Sequence, residues 1–239
     1  MLRLNKSFLT ASAFIFVFAG CSQKAYQGTA NWAMVPFERP ANPQPVISPN
    51  DKSTFLDPMS GKTIHWEAND TFNPAAAVKG DSIYVIYRAE DKSGVGIGER
   101  TSRLGLAATA DGLTMKTRAT PVMYPAADNQ KEFEWPGGCE DPRVAVTEDG
   151  TYVMLYTQWN KKVPRLAVAT SKDLLKWDKH GSVFRTAHQG KFFNKPSKSA
   201  SIVTSLKKGK QLVTKINGRY LMYWGEKFIN LAWSDDLIN

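Results

Sequence analysis

The chain reads as an all-β protein of the propeller kind, assembled from repeated four-stranded units. Three segments share one pattern of apolar strand, tight turn and Tyr-rich strand: PAAAVKGDSIYVIYR from Pro74, PRVAVTEDGTYVMLYT from Pro142 and LVTKINGRYLMYW from Leu212. Tyr84, Tyr152 and Tyr220 recur every 68 residues, and a fixed period of that size marks a modular array. Each unit continues into a second hairpin: LGLAATADGLTM from Leu104, PRLAVATSKDLLKW from Pro164 and FINLAWSDDLIN from Phe228. Four short strands per unit, punctuated by Gly, Asn and Asp, match a propeller blade.

The turns supply a mechanism. Asp149-Gly150 and Asn217-Gly218 stand where a two-residue hairpin loop needs positive φ, which Gly adopts freely and Asn or Asp tolerates. On either side, alternation as in Tyr152-Val-Met-Leu-Tyr places apolar groups between stacked blades. The other reading makes SKDLLKW a short amphipathic helix in an α+β fold, but its counterparts ADGLTM and SDDLIN have poor helical character.

Residues 1–21 form a targeting segment. Arg3 and Lys6 precede an apolar run from Phe8 to Phe18, too short to span a bilayer as a stable helix. The run ends in Phe18-Ala19-Gly20-Cys21, which resembles a bacterial lipoprotein signal whose Cys21 becomes the lipidated first residue; Phe18 stands where Leu is usual. Ordinary secretory cleavage or an uncleaved anchor are the other readings. Residues 22–65 are a tether and N-terminal extension, rich in Pro, Gly, Asn and Gln up to Gln44, and residues 66–239 are the folded domain. The expected location is extracytoplasmic and lipid-anchored to a bacterial membrane. Ser22 stands where an inner-membrane retention Asp often follows the cysteine, which favours the outer membrane.

The formal charge is +9, yet the basic residues are scattered and no RNA-type aromatic motif accompanies them, so no nucleic-acid partner is expected. Lys191, Lys195, Lys198, Lys207, Lys208 and Lys210 cluster around the third unit and read as a solvated loop face. With Cys21 lipidated, Cys139 has no partner for a disulfide and reads as a small buried residue. His65, His180 and His188 show no zinc or catalytic spacing, and no metal or cofactor is implied. GVGIG at Gly94 lacks the following helix and the third-glycine spacing of a nucleotide loop, and reads as an inter-strand loop. Trp135, Trp159 and Trp224 serve equally as sugar platforms or as blade packing.

In a propeller the loops at one end of the channel converge, so chemistry belongs at the starts of the inner strands. Asn73 in TFNPA, Arg88 in YRAED, Asp141 and Arg143 in GGCEDPRV, Lys198 in KPSKSAS and Glu226 in YWGEK occupy such places. GGCEDPRV is the most specific segment. Its two glycines allow close backbone approach, Pro142 sets the start of the strand, and Glu140 and Asp141 should point to opposite faces, one to the channel and one anchoring the loop. Asp141 and Arg143 could equally form a structural pair.

FNPAA at Phe72, YRAED at Tyr87, TSRLGLA at Thr101, GGCEDPRV at Gly137 and YTQWN at Tyr156 together resemble glycoside hydrolase family 130, over roughly Trp66 to Asn239. The resemblance implies a five-bladed β-propeller acting on β-linked mannosides with inversion, of which this chain carries about three blades and an incomplete active site. It implies Asp141 as general acid, acting through a sugar hydroxyl, with Asn73, Arg88 and Arg103 near the bound mannose. Inversion requires an acid at the leaving oxygen and a nucleophile on the opposite face.

The family holds phosphorylases, which need cationic donors for phosphate, and hydrolases, which need a carboxylate to activate water. Glu226 after Trp224-Gly225 resembles the hydrolase branch and its secreted β-1,2-mannosidases, and is assigned as general base. A surface pair with Lys227 is the plainer role for it. Lys198 is open between phosphate binding, substrate hydrogen bonding and solvation. The expected function is cleavage of β-mannosides, with β-1,2-linked manno-oligosaccharides as substrate. A phosphorylase releasing mannose 1-phosphate and a non-catalytic carbohydrate-binding propeller are the alternatives.

Overall fold

The computed structural model describes residue 41, residues 43–207 and residues 210–239. The targeting segment, Cys21, the tether up to residue 40 and Lys208 lie outside the described residues. Apart from one turn of helix, α1 (Lys131–Glu134), the regular elements among the described residues are strands. SKDLLKW is not helical.

Strands β1 (Asn50–Asp57) and β2 (Lys62–Glu67) pair as a hairpin, which straddles the expected boundary between the N-terminal extension, residues 22–65, and the folded domain. The first blade is β3 (Asp70–Lys79), β4 (Ser82–Glu90), β5 (Ser102–Thr109) and β6 (Lys116–Thr117), each antiparallel to the next. The second is β7 (Gly138–Val146), β8 (Tyr152–Trp159), β9 (Pro164–Ser171) and β10 (Asp178–Ser182) in the same order. In the third, the inner strand starts as β11 (Ala200–Ile202). The chain then leaves through the hairpin β12 (Thr204–Lys207) and β13 (Lys210–Val213) and resumes as β14 (Lys215–Ile216). Both β11 and β14 pair with β15 (Arg219–Trp224), which pairs with β16 (Asn230–Ser234).

The third blade therefore departs from the sequence pattern. Leu212-Val213, expected on the inner strand, belong to the excursion hairpin, whose Leu212 meets Val146 of β7. The predicted turns also differ from each other. Asn217 and Gly218 both take positive φ, at 50° and 82°, as a two-residue hairpin requires. In the loop from Thr147 to Thr151 only Gly150 does, and Asp149 instead accepts hydrogen bonds from the hydroxyls of Thr147 and Thr151 and from Lys172.

The Tyr-rich strands β4 and β8 are apolar on both faces because each is sandwiched. On β8, Met154 and Tyr156 join Ile86, Leu104 and Leu106 in the core between the first and second blades. Their neighbours Val153 and Leu155 pack the other way, with Phe184 and Ala200, toward Met222 and Trp224 of the third. On β4, Ile86 faces the second blade, while Tyr87 and Ala89 pack on Trp66 of β2. Trp224 lies 4.8 Å from the Phe184 ring and is blade packing.

A second repeat closes the third strand of every blade. Thr109 and Asp111, Ser171 and Asp173, and Ser234 and Asp236 occupy equivalent positions two residues apart. Each Asp accepts the backbone N–H groups two and three residues ahead, and each hydroxyl accepts the N–H three residues ahead. These loops satisfy their own backbone in the way an N-cap does.

The first and second blades meet where Ser102 N–H donates to Gly137 O at 2.8 Å and Ser102 pairs with Gly138. Gly138 has φ 120°, and a Cβ there would stand 2.1 Å from the Ser102 carbonyl oxygen. Gly138→Ala is expected to strain the backbone and part this contact, destabilising the chain by about 2–4 kcal/mol in urea unfolding. An unchanged unfolding midpoint would show that the contact is not constrained.

Candidate functional site

The inner strands β3 and β7 carry matching irregularities at their N-terminal halves. Pairing with the second strand shifts between Phe72 and Ala75 in β3 and between Glu140 and Arg143 in β7. The residues in each shift are Asn73-Pro74 and Asp141-Pro142, and Asn73 and Asp141 hold positive φ of 45° and 51°. A bulge of this kind bends the strand and re-aims a side chain. Here it points Asn73 at Asp141 across the blade boundary, Nδ2 donating to Oδ1 at 2.8 Å.

Arg88 of β4 completes the grip. Its Nη1 lies 3.1 Å from Asp141 Oδ1, and its Nη2 lies 2.6 Å from Glu90 Oε1 and 2.8 Å from Glu140 Oε1. The guanidinium is buried and stacks over the Phe72 ring, 4.6 Å from its centroid. Glu140 and Asp141 thus converge on one cation. The expected alternation to opposite faces fails because the bulge at Asp141 breaks the period of two. Asp141 keeps 15 % of its side chain exposed, and among the described residues its Oδ2 has no protein hydrogen-bond partner, so that oxygen is open to a ligand.

Behind this rim Glu90 is fully buried. Glu90 Oε2 binds Arg100, which also holds Asp70 and the carbonyls of Gly94 and Val95 in the GVGIG loop. Burial pushes the Glu140 carboxyl up to about 7; Arg88 opposes that rise, and the charges of Asp141 and Glu90 add to it. Beneath Cys139, which is fully buried, Lys179 is 2.5 Å from Glu134, and Glu134 also accepts from Tyr156 and Gln158. Burial raises the Cys139 thiol well above its ordinary value, so it is no nucleophile. Trp159 donates to Gly98 O at 2.8 Å, holding the GVGIG loop to β8.

The remaining predicted residues divide. Lys198 and Glu226 pair with each other, 3.1 Å apart, Lys198 just before β11 and Glu226 just after β15. Gly225 N–H donates to Lys198 O, which fixes Glu226 beside that lysine rather than paired with Lys227. Glu226 is 63 % exposed. Among the described residues no hydrogen bond or ion pair links this couple to Asp141. Arg143 is exposed and donates to Pro142 O at 2.8 Å, so the Asp141–Arg143 pair does not form.

The structure does not bring Arg103 to the rim. It is 1 % exposed, with Asp57 of β1 at 3.1 Å and Asp91 at 2.8 Å, and ties the β1–β2 hairpin to the first blade. Its alternation with Arg88 across the β4–β5 register sends it to the opposite face. Sequence reading missed Ser102, Glu90 and Glu140 as members of the Arg88 cluster. Glu90 carried a signal, since Glu90, Gln158 and Glu226 recur at the 68-residue period.

A concavity lies elsewhere. A cavity of about 600 Å³ between the second and third blades is lined mainly by apolar groups, among them Phe184, Ile202, Met222, Trp224 and Ile238, and includes none of these carboxylates. Among the described residues no three His, Cys, Asp or Glu side chains are grouped to hold a metal ion.

The raised Glu140 carboxyl makes stability depend on pH. Protonation is favoured in the fold, so its contribution is full below about 4.5 and is lost as pH rises through about 7. Between pH 5 and 8 the unmodified chain is expected to lose on the order of 2–3 kcal/mol more than Glu140→Gln. Parallel urea melts at the two pH values check this, and equal losses would refute it.

The comparisons with known proteins agree with this architecture. The sequence model of the family described as β-1,4-mannooligosaccharide phosphorylase, glycoside hydrolase family 130, matches residues 44–239. A 1,2-β-oligomannan phosphorylase from a Thermoanaerobacter strain is 35% identical over 73% of this chain and 52% of its own length. A glycosyl hydrolase structure from Bacteroides ovatus is 60% identical, with TM-score 0.85, covering 87% of this chain and 58% of that one. A further structure, 57% identical with TM-score 0.85 over 87% of this chain and 58% of that one, is described as showing that the mannoside phosphorylases of GH130 include glycoside hydrolases targeting β-1,2 mannosidic linkages in Candida mannan. The chain thus spans between half and three fifths of the length of these relatives. The family fold is a five-bladed β-propeller, of which this chain supplies three blades and the β1–β2 hairpin. It belongs to glycoside hydrolase family 130, a family of mannoside-processing enzymes.

Proposed function

We propose that the whole protein to which this chain belongs hydrolyses β-mannosidic bonds, with β-1,2-linked manno-oligosaccharides as substrate. The observation that carries this reading is Asp141: lifted out of register at the start of β7, anchored through Oδ1 by Asn73 and Arg88, and open at Oδ2. A carboxyl held by one oxygen presents the other in a defined direction, as proton donation to a leaving oxygen requires. Asn73 and Arg88 bind the sugar on the same rim. Glu226, at the corresponding end of the third blade, takes the water-activating role, and Lys198 holds its carboxylate in place. The high identity to structures described as glycosyl hydrolases supports this choice.

Phosphorolysis is the second reading. It is favoured by the family description, by the 35% identical oligomannan phosphorylase, and by Lys198 and the exposed Arg143 as cationic donors for phosphate. Incubating the complete gene product with β-1,2-mannobiose with and without inorganic phosphate separates the two. Hydrolysis is expected to release mannose alone at a rate indifferent to phosphate, whereas strict phosphate dependence with mannose 1-phosphate as product would overturn it. Asp141→Asn is expected to lower kcat by about 10²–10⁴-fold, the typical cost of losing a general acid. Retained turnover would remove Asp141 as the acid.

We further propose that Cys21 carries a lipid that anchors the protein outside the cytoplasm, as the Phe18-Ala19-Gly20-Cys21 motif supports. Cys21→Ser is expected to move the full-length protein from the detergent phase to the aqueous phase on temperature-induced partition. An unchanged partition would refute lipidation.

A further inference from the structure

Four carboxylates and two guanidinium groups meet at the boundary of the first two blades: Asp70, Glu90, Glu140 and Asp141 with Arg88 and Arg100. With Asp70 nearly half exposed to solvent, ionised Glu90, Glu140 and Asp141 would leave one negative charge beyond the two guanidinium groups, around the fully buried Glu90 and the 6 % exposed Glu140. Burying unpaired charge is costly, so the cluster must hold a proton somewhere. The hydrogen bonds say where. Glu90 has Arg88 on Oε1 and Arg100 on Oε2, and Asp141 has Arg88 and Asn73 on Oδ1.

Glu140 is the least firmly held of the three carboxylates around Arg88. Its Oε1 shares Arg88 Nη2 with Glu90 Oε1, and shares the Ser102 hydroxyl with that same oxygen, both at 3.2 Å. A hydroxyl has one proton and serves one acceptor at a time. Among the described residues Glu140 Oε2 has no protein partner. From β8 the register partner is Thr157, which is uncharged, and β3 contributes only Asn73 and Asp70.

We infer that Glu140 is a positioning residue: while protonated it leaves the Arg88 guanidinium to Asp141 and Glu90, and on losing its proton to solvent it draws Arg88 away from Asp141. The elevated position of its carboxyl supports this. The catalytic consequence rests on Asp141 being the acid of the proposed reaction. Above the ionisation of Glu140 the guanidinium is divided among three carboxylates, the anchor on Asp141 Oδ1 loosens, and turnover falls. The device therefore ties the alkaline limit of activity to a residue other than the proposed acid.

The test is carboxyl ¹³C NMR of the 239-residue chain labelled at Glu and Asp side chains, titrated from pH 5 to 9. One glutamate resonance with a midpoint near 7 is expected, absent in Glu140→Gln. The Asp141 resonance, assigned with Asp141→Asn, is expected to bend at that same pH and to lose that inflection in Glu140→Gln. No glutamate titrating between pH 6 and 8, or an Asp141 signal blind to one that does, would overturn the inference. A pH profile of kcat/KM for the complete gene product adds the functional arm. Its alkaline limb is expected at the NMR midpoint and displaced upward in Glu140→Gln, and a limb that stays in place overturns the inference. If the protein cleaves no mannoside at any pH, the proposed reaction falls, and the NMR titration alone decides the role of Glu140.

Discussion

The Arg88 guanidinium is the contact on which the geometry of the rim depends. It reaches from the end of the second strand of one blade to the first strand of the next, touching Glu90 of its own strand and Glu140 and Asp141 of β7. Without it three carboxylates would face one another in a nearly dry pocket, and repulsion between them would push the two blades apart exactly where the chain must hold them close. A buried ion pair adds little stability over an apolar replacement, but removing one partner leaves a buried charge uncompensated. The cluster is therefore better understood as setting an arrangement than as strengthening the fold.

The strength lies lower in the blades. β4 and β8 bury both faces, so successive residues such as Val153 and Met154 belong to different cores, and the blades stack as layers with apolar contacts between them. Toward the starts of the inner strands polar groups replace apolar ones, which is where the bulges at Asn73 and Asp141 occur. The same division explains why the large apolar cavity between the second and third blades and the charged rim are separate places. It also explains the exposed apolar residues of the third blade. Tyr223, Leu231 and Trp233 occupy the face opposite Met222 and Trp224, and in a stack of layers that face lies toward the next one.

Much of this was legible in the order of residues. The 68-residue recurrence of Tyr84, Tyr152 and Tyr220 placed all three second strands, the pairing of Asn73 with Asp141 follows the same period, and Glu90 and Glu226 stand two periods apart. The hydroxyl and Asp pairs that close the third strands were present in the text too, at Thr109, Ser171 and Ser234, but short polar motifs are common and only their shared hydrogen bonds single them out. What misled was the assumption of unbroken alternation. It sent Glu140 and Asp141 to opposite faces, and it could not foresee that a hairpin would divide the inner strand of the third blade.

Periodicity and turn chemistry are local properties, and they determined the β class, the blade as repeating unit and the segments in which chemistry would sit. The partners of each charge were decided by tertiary structure. Arg88 and Arg103 lie in adjacent strands, yet one meets Asp141 at the rim and the other is sealed against Asp57 and Asp91. Which face an arginine takes depends on its strand register, and what it meets there depends on residues that are distant along the chain. Electrostatic energy depends on separation through space and on burial, neither of which a linear order of residues contains.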